Sequence, residues 1–163
     1  MKYSCALFCA LAVLTAGGCC QHPDLEQSRQ EILALHQSII EAHLAKDSAF
    51  LARPTADDYL SVSRGEVRQM DAAEVEAMLS PYLAETEFSH YEDVADPIVG
   101  VSDDGSIAWS IVQVRVAGDR SGGDGESHVF DTRWAWLTLY RWDGENWQRL
   151  VDVSTNRPFD QEF

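Results

Sequence analysis

The spacing of apolar residues changes along the chain, and this change predicts helices first and strands afterwards. Between about residues 25 and 46, apolar positions recur at spacings of three, four or seven, which predicts an amphipathic helix with Asp24 as its N-cap. Asp71 and Glu74 form a capping-box signature before a further helical segment. The helices predicted in this first part are 25–46, Ser48–Leu51 and Ala72–Leu83.

Most of the remaining chain alternates apolar and polar residues with a period of two, which is typical of strands with one face in a core. The glycine-rich segment Gly118–Gly125 is interpreted as a mobile hairpin loop, and Asp143-Gly144 is a second hairpin signal. Helices followed by antiparallel strands predict one α+β domain. The predicted strands are Asp58–Ser63, Phe88–Ala95, Pro97–Val101, Ile107–Val116, His128–Trp142 and Trp147–Asn156.

Tryptophan side chains are concentrated in the predicted strands. By alternation Trp134 and Trp136 share one face of their strand with Thr138, while Trp109 and Gln113 share one face of the preceding strand. Both faces of the longer strand are largely apolar, which is typical of a strand covered on both sides. One face is expected to line a core and pocket and the other to meet a dimer partner or a covering loop. The pattern leaves open which of the two faces lines the pocket.

The first residues have the pattern of an export signal. Met1-Lys2 is followed by the apolar run Cys5–Ala16, which is shorter than the roughly 20 residues that span a bilayer. The small residues before Cys19 resemble a bacterial lipobox, and this resemblance implies cleavage and lipidation at Cys19. An ordinary secretory signal cut nearby is the alternative. The expected layout is a signal over 1–18, a lipidated tether over 19–27, a domain over 28–157 and a tail over 158–163.

Charge and cysteine content restrict the function further. The net charge of −15 disfavours binding to nucleic acid and to anionic headgroups, so membrane attachment is expected only through the lipid anchor. Residue 20 is cysteine rather than aspartate, which implies the outer membrane of the cell envelope if the host is Gram-negative. All four cysteines lie in the first 20 residues, so the mature domain has no disulfide, thiolate nucleophile or zinc-thiolate site. The sequence has no nucleotide-binding motif, and no cofactor is expected.

Three groups of residues resemble the nuclear-transport-factor-2-like (NTF2-like) superfamily, and within it the SnoaL-like and DUF4440-type proteins. They are the end of the first helix at Ala45-Lys46-Asp47 with Ala56-Asp57-Asp58-Tyr59 after it, the segment 104–109, and the segment 140–147. The resemblance covers about residues 28–157. It implies a cone-shaped α+β fold, in which N-terminal helices pack on a strongly curved antiparallel sheet and enclose a pocket.

Ketosteroid isomerases in this superfamily use a carboxylate base and a helix tyrosine, and the resemblance allows both positions to be checked. When Asp57-Asp58 is aligned with their acidic pair, the base position falls on Ser63 and the tyrosine position on Ile39. A serine hydroxyl is not a base near neutral pH, and isoleucine has no proton to donate. The sequence therefore disfavours isomerase activity.

A histidine–aspartate pair is the most specific enzymatic hypothesis. His36 and His43 are one heptad apart on the first helix, and Asp152 on the last strand could face them, as in a dehydratase of the scytalone type. The simpler alternative is that His43 packs at the core boundary and His36 faces solvent. A shared metal ion is disfavoured, because two turns of helix separate the histidines by about 10 Å.

Three functions remain open from the sequence. The first is an envelope-anchored, dimeric domain that binds a small apolar ligand. The second is a SnoaL-like acid/base enzyme that uses His43 and Asp152. The third is an interaction domain with a tryptophan-rich sheet face. The candidate pocket residues are Tyr59, Ser63, Trp109, Gln113, Trp134 and Trp136.

Overall fold

The computed structural model describes residues 24–122 and 126–160. The expected signal, Cys19 and part of the glycine-rich segment lie outside these residues. No helix of the described ranges has the length and apolarity needed to cross a membrane. The elements in chain order are α1 (Leu25–Leu44), α2 (Ser48–Ala52), β1 (Thr55–Ser63), β2 (Glu66–Gln69), α3 (Ala72–Glu85), β3 (Thr86–Asp93), β4 (Ile98–Val101), β5 (Ile107–Ser121), β6 (Ser127–Trp142) and β7 (Trp147–Pro158).

The strands form one curved, unclosed sheet on which the helices pack. Its order is β2–β1–β7–β6–β5–β3, and β4 pairs with β5 beside β3. The α+β expectation is confirmed, with one difference in strand direction. β1 runs parallel to β7, with Ser61 opposite Asp152, whereas the other pairs are antiparallel. This pairing places the first strand beside the last.

Both predicted helix starts are confirmed, because local hydrogen bonds determine them. The Asp24 side chain accepts from two backbone N–H groups of the first turn of α1. Asp71 and Glu74 form the expected capping box at the start of α3. α3 continues past Pro81 to Glu85, two residues further than predicted.

Helix α1 covers one face of the sheet, which we call the concave face. Ile32 packs with Ala108 and Tyr140, and Ile40 packs with Val114. The strand register places Val114 opposite Trp134 and Val112 opposite Trp136, so both tryptophans belong to this face. The arrangement determines which side of the long strand β6 faces the helices.

The β-hairpins differ from the sequence expectation in two places. β5 continues through Gly118 to Ser121, where a loop was expected. At Gly118 the backbone of β3 comes so close that a Cβ would lie 2.3 Å from the carbonyl oxygen of Glu87. Glycine therefore allows close strand pairing here. Strand β2 was not predicted, because its four residues are all exposed and include a single apolar residue, Val67, which is too little for an alternation signal. The turn before it has positive φ at Arg64 and Gly65.

Candidate functional site

Asp152 is the centre of a hydrogen-bonded cluster on the concave face. The hydroxyl of Tyr59 donates to Asp152 Oδ2 over 2.9 Å, and the hydroxyl of Thr138 donates to Asp152 Oδ1 over 2.5 Å. Arg149 Nη1 lies 3.4 Å from Oδ2. The side chains come from β1, β6 and β7, which are neighbours in the sheet. The carboxylate is therefore held from three sides by donors.

Arg149 connects this cluster to the helices. Its Nη2 donates to the carbonyl oxygen of Leu51 over 2.7 Å and to the hydroxyl of Thr55 over 2.9 Å. The guanidinium also lies over the Tyr59 ring, 5.4 Å from its centroid. A buried cation needs a nearby carboxylate, and Asp152 supplies it. The pair therefore holds Asp152 in a fixed orientation.

Two tyrosines beside Asp152 stay protonated over the physiological range. Burial raises the pKa of Tyr59 far above its ordinary value, and the charge of Asp152 raises it further. Burial likewise raises the pKa of Tyr140. Both phenols are therefore hydrogen-bond donors and not bases at neutral pH. Tyr59 therefore acts as a hydrogen-bond donor to Asp152.

A small cavity opens on the concave face beyond this cluster. Its volume is about 240 Å³, and four of its lining residues are Ser63, Trp134, Ser154 and Asn156. Ser154 lies opposite both Ser63 and Trp136 in the sheet, and Asn156 lies opposite Trp134. We call this space the mouth cavity. Deeper in the cone, aromatic and aliphatic side chains pack against Ile40 and fill the interior.

His43 lies in the cone but does not pair with Asp152. Its Nδ1 is 2.8 Å from the carbonyl oxygen of Ile39, and since a carbonyl can only accept, Nδ1 carries the proton. The ring stacks on Tyr91 with centroids 4.5 Å apart. Burial lowers the pKa of His43 to about 4, so the ring is neutral at pH 7. The structure thus does not bring together the proposed histidine–aspartate pair.

His36 is buried, which corrects the alternative in which it faces solvent. Only 4% of its surface is exposed, and its Nε2 lies 2.8 Å from Asp93 Oδ1 at the end of β3. A polar ring that packs against the sheet needs such a partner. Within residues 24–122 and 126–160, no three side chains of the metal-binding types are grouped to hold an ion.

The structure separates the six candidate pocket residues. Ser63 and Trp134 line the mouth cavity, Tyr59 belongs to the Asp152 cluster, and Trp136 packs between these regions. Trp109 and Gln113 lie on the opposite face, because residues 109 and 113 pair with 139 and 135 rather than with the tryptophans. Trp109 packs there against Gly100, where a Cβ would lie 2.0 Å from the indole.

Sequence reasoning missed four residues of this region: Thr138, Arg149, Ser154 and Asn156. A signal for two of them exists, because Asp152, Ser154 and Asn156 alternate along β7 and therefore share one face. The role of Arg149 could not be inferred in this way, since its contacts come from α2 and β1.

No protein-family model matches the sequence, and no curated protein matches it. Solved structures do match. An NTF2-like protein of unknown function from Pseudomonas putida KT2440 superimposes with a TM-score of 0.61 at 21% identity, over 85% of this chain and 93% of its own.

Two further structures agree. An NTF2-like protein from Cytophaga hutchinsonii gives a TM-score of 0.60 at 20% identity, covering 78% of this chain and 96% of its own. A suggested dehydratase from the NTF2-like family of Streptomyces avermitilis gives 0.63 at 14% identity, covering 79% and 96%. The chain has the NTF2-like fold. At sequence identities this low, the structural similarity shows the fold of this NTF2-like domain and not its function.

The two positions that the isomerase comparison singled out can now be placed in the NTF2-like domain. Ser63 ends β1 at the mouth cavity. Ile39 packs in a cluster with Leu51 and Leu83, between α1, α2 and α3. Neither side chain brings a base or a phenol to the concave face.

Proposed function

We propose that this NTF2-like domain binds a small ligand in the mouth cavity and does not transform it. The observation that carries the proposal is the cavity of about 240 Å³ beside Asp152, whose carboxylate accepts from three donors. Asp152 already accepts from three donors, so we assign it a positioning role. His43 is neutral and separate from it, which makes acid/base chemistry by this pair the weaker alternative.

The lining of the cavity defines the ligand more closely than the sequence did. An apolar ligand was expected, but beside Trp134 the cavity is lined by Ser63, Ser154 and Asn156, which carry hydroxyl and amide groups, and by Arg64, which carries a guanidinium. A pocket of this volume is below the range of about 300–1,000 Å³ typical of drug-sized ligands. We therefore assign it a small ligand with one flat apolar side for Trp134 and hydrogen-bonding groups on its edge. SnoaL-like or DUF4440-type ancestry, indicated by the sequence motifs, is compatible with such a site.

Asn156→Ala is expected to weaken ligand binding about tenfold, because it removes one hydrogen-bonding side chain from the cavity. Native mass spectrometry of the purified protein measures the fraction of domains that retain a small molecule. Gln113→Ala is the control, since Gln113 lies on the opposite face, and it should leave that fraction unchanged. A wild-type protein that retains no molecule, and whose Trp134 indole resonance responds to no compound of a fragment library, would contradict the proposal.

A second candidate function, assembly with another copy of this chain, is favoured by the face opposite the concave one. Six aliphatic residues there face one another across six strands, each paired in register with the next. Strands lie about 4.8 Å apart, so this aliphatic row is about 24 Å long. Five of its members are exposed large hydrophobic residues. In sheet order the row is Val67, Val62, Val153, Leu137, Ile111 and Ile98.

The aliphatic row is the interaction surface that we assign, in place of the tryptophan-rich face expected from the sequence. Trp134 and Trp136 face α1, whereas Leu137 and Val153 are 36% and 42% exposed. A second copy of the chain fits this surface. Two aliphatic rows can pack against each other without bringing the acidic surfaces of two chains, each with a net charge of −15, into contact. We therefore propose a homodimer, and its test is given in the Discussion.

The location proposed for this domain is the bacterial cell envelope, with a lipid on Cys19 as the anchor. The support is the sequence of residues 1–20 and the acidic composition, which offers no electrostatic alternative. Cys19→Ala, expressed in a Gram-negative bacterium, is expected to move the protein from the membrane fraction to the soluble fraction. Cys20→Ala is the matched control and should remain with membranes. Membrane fractionation of the Cys19→Ala protein equal to wild type would exclude lipidation at this position.

A further inference from the structure

A second cavity lies at the other end of β6 and β7 from the mouth cavity. It has a volume of about 510 Å³ and runs between α1, the α2–Pro54 segment and the β6–β7 hairpin. We call it the hairpin groove. Its volume falls within the range of about 300–1,000 Å³ found for ligand pockets. None of the residues assigned to the mouth cavity lines it.

Two tryptophans form one wall of the hairpin groove. The rings of Trp142 and Trp147 lie 5.3 Å apart at an angle of 56°. Trp147 is buried, and its Nε1 donates to Glu31 Oε2 over 3.1 Å, while Gln27 donates to Glu31 Oε1 over 2.8 Å. Trp142 is half-buried and rests on Trp147. The wall is therefore held rigid before any ligand arrives.

Asp143 holds the hairpin rim in place. It accepts from the backbone N–H groups of Glu145 and Asn146, over 2.8 and 2.7 Å, and from Gln148 Nε2 over 2.7 Å. The two backbone donors hold the pKa of the Asp143 carboxyl below its ordinary value, so it stays ionised and keeps these bonds. These bonds fix the backbone of Glu145 and Asn146 and the side chain of Gln148 at the edge of the groove.

Three polar side chains in the groove have free hydrogen-bonding groups. Within the part of the chain that the structure describes, the side chains of Arg53, Glu145 and Asn146 form no hydrogen bond or ion pair. Arg53 lies over the Phe50 ring at 5.2 Å on the opposite wall. Together they offer a guanidinium with donors only, a carboxylate with acceptors only, and an amide with both.

This combination selects among classes of ligand. Glu31 and Glu145 would repel an anion, and the positive charge of Arg53 on the opposite wall would repel a cation. Sugar hydroxyls donate and accept at once, so they match a mixed set of donors and acceptors. The C–H face of a sugar ring can also lie flat on an indole. We propose that the hairpin groove is a binding site for a neutral saccharide, with Trp142 as its stacking platform.

The test uses maltotriose, cellotriose and chitotriose as probes, each titrated to millimolar concentration against the full protein. At least one is expected to shift the Trp142 indole N–H resonance in a saturable way. Arg53→Gln and Asn146→Ala, both at exposed positions, should each weaken that binding about fivefold. Arg68→Gln, an exposed arginine outside the groove, is the matched control and should bind as wild type does.

Four outcomes would overturn the proposal. They are no saturable shift with any of the three sugars, unchanged binding in both groove variants, equal loss in Arg68→Gln, or tetramethylammonium or acetate binding as tightly as the sugars. The mouth-cavity variant Asn156→Ala should bind the sugars normally. This result keeps the saccharide site distinguishable from the function proposed for the mouth cavity.

Discussion

Replacing Asp152 by alanine is expected to lower the free energy of unfolding by about 3 kcal/mol. The change leaves Arg149, whose side chain is 11% exposed, without its carboxylate. Tyr59 and Thr138 lose their acceptor at the same time. The Asp152 side chain is itself 21% exposed, so water can solvate part of the space that it leaves. The loss of stability therefore stays at the lower end of the range of about 3–5 kcal/mol for broken buried pairs. Urea denaturation at neutral pH measures the difference.

A surface ion pair provides the control for this prediction. Asp58 pairs with Arg141 over 3.1 Å, but their side chains are 60% and 44% exposed, so Asp58→Ala should cost less than about 1 kcal/mol. The double variant Asp152→Ala/Arg149→Met should recover part of the loss, since it also removes the unpaired charge. Equal losses in Asp152→Ala and Asp58→Ala would contradict a stabilising role for the cluster.

Leu137→Asp is expected to convert the proposed homodimer into a monomer. Leu137 lies within the aliphatic row, between Val153 and Ile111, so a carboxylate there would have to be buried against the partner copy without a counter-ion. We expect dimerisation to weaken at least about hundredfold, which corresponds to about 2.7 kcal/mol. Sedimentation velocity over a range of protein concentrations measures the change.

The same strand offers a matched control for the dimer test. Val129 is 84% exposed and lies on β6 eight residues before Leu137, beyond the aliphatic row. Val129→Asp adds the same charge to the same strand and should leave the dimer intact. If wild type sediments as a monomer, or if Leu137→Asp remains dimeric, the aliphatic row is not the interface.

Local signals account for the parts of the fold that the sequence predicted well. Asp24, Asp71 and Glu74 act within three residues of their own positions, and both helix starts were predicted correctly. Period-two alternation correctly grouped Trp134 with Trp136. Strand β2 was missed because its pairing partner, and not its own apolar content, makes it a strand. Gly118 was assigned to a loop because its close approach to Glu87 is a tertiary contact.

The candidate site was harder to predict, because its contacts join distant parts of the chain. Tyr59 and Asp152 are 93 positions apart and meet only because β1 lies beside β7. Alternation also cannot show which face of a strand a helix covers, so Trp109 and Trp134 were both candidates for one pocket although they lie on opposite faces. The heptad spacing of the histidines did place both on the side of α1 that meets β3, where His36 contacts Asp93 and His43 contacts Tyr91.

The parallel pairing of β1 with β7 has a consequence for the order in which the molecule matures. Arg149, Asp152, Ser154 and Asn156 all lie on β7, which is synthesised after the other strands of this sheet. A nascent chain that ends before Trp147 has Tyr59 and Ser63 but lacks Asp152 and Ser154, their partners on β7. Neither the Asp152 cluster nor the mouth cavity can therefore assemble before β7 has been synthesised. In a chain that is exported in the unfolded state, the proposed ligand site would form only at the destination, once β7 pairs with β1.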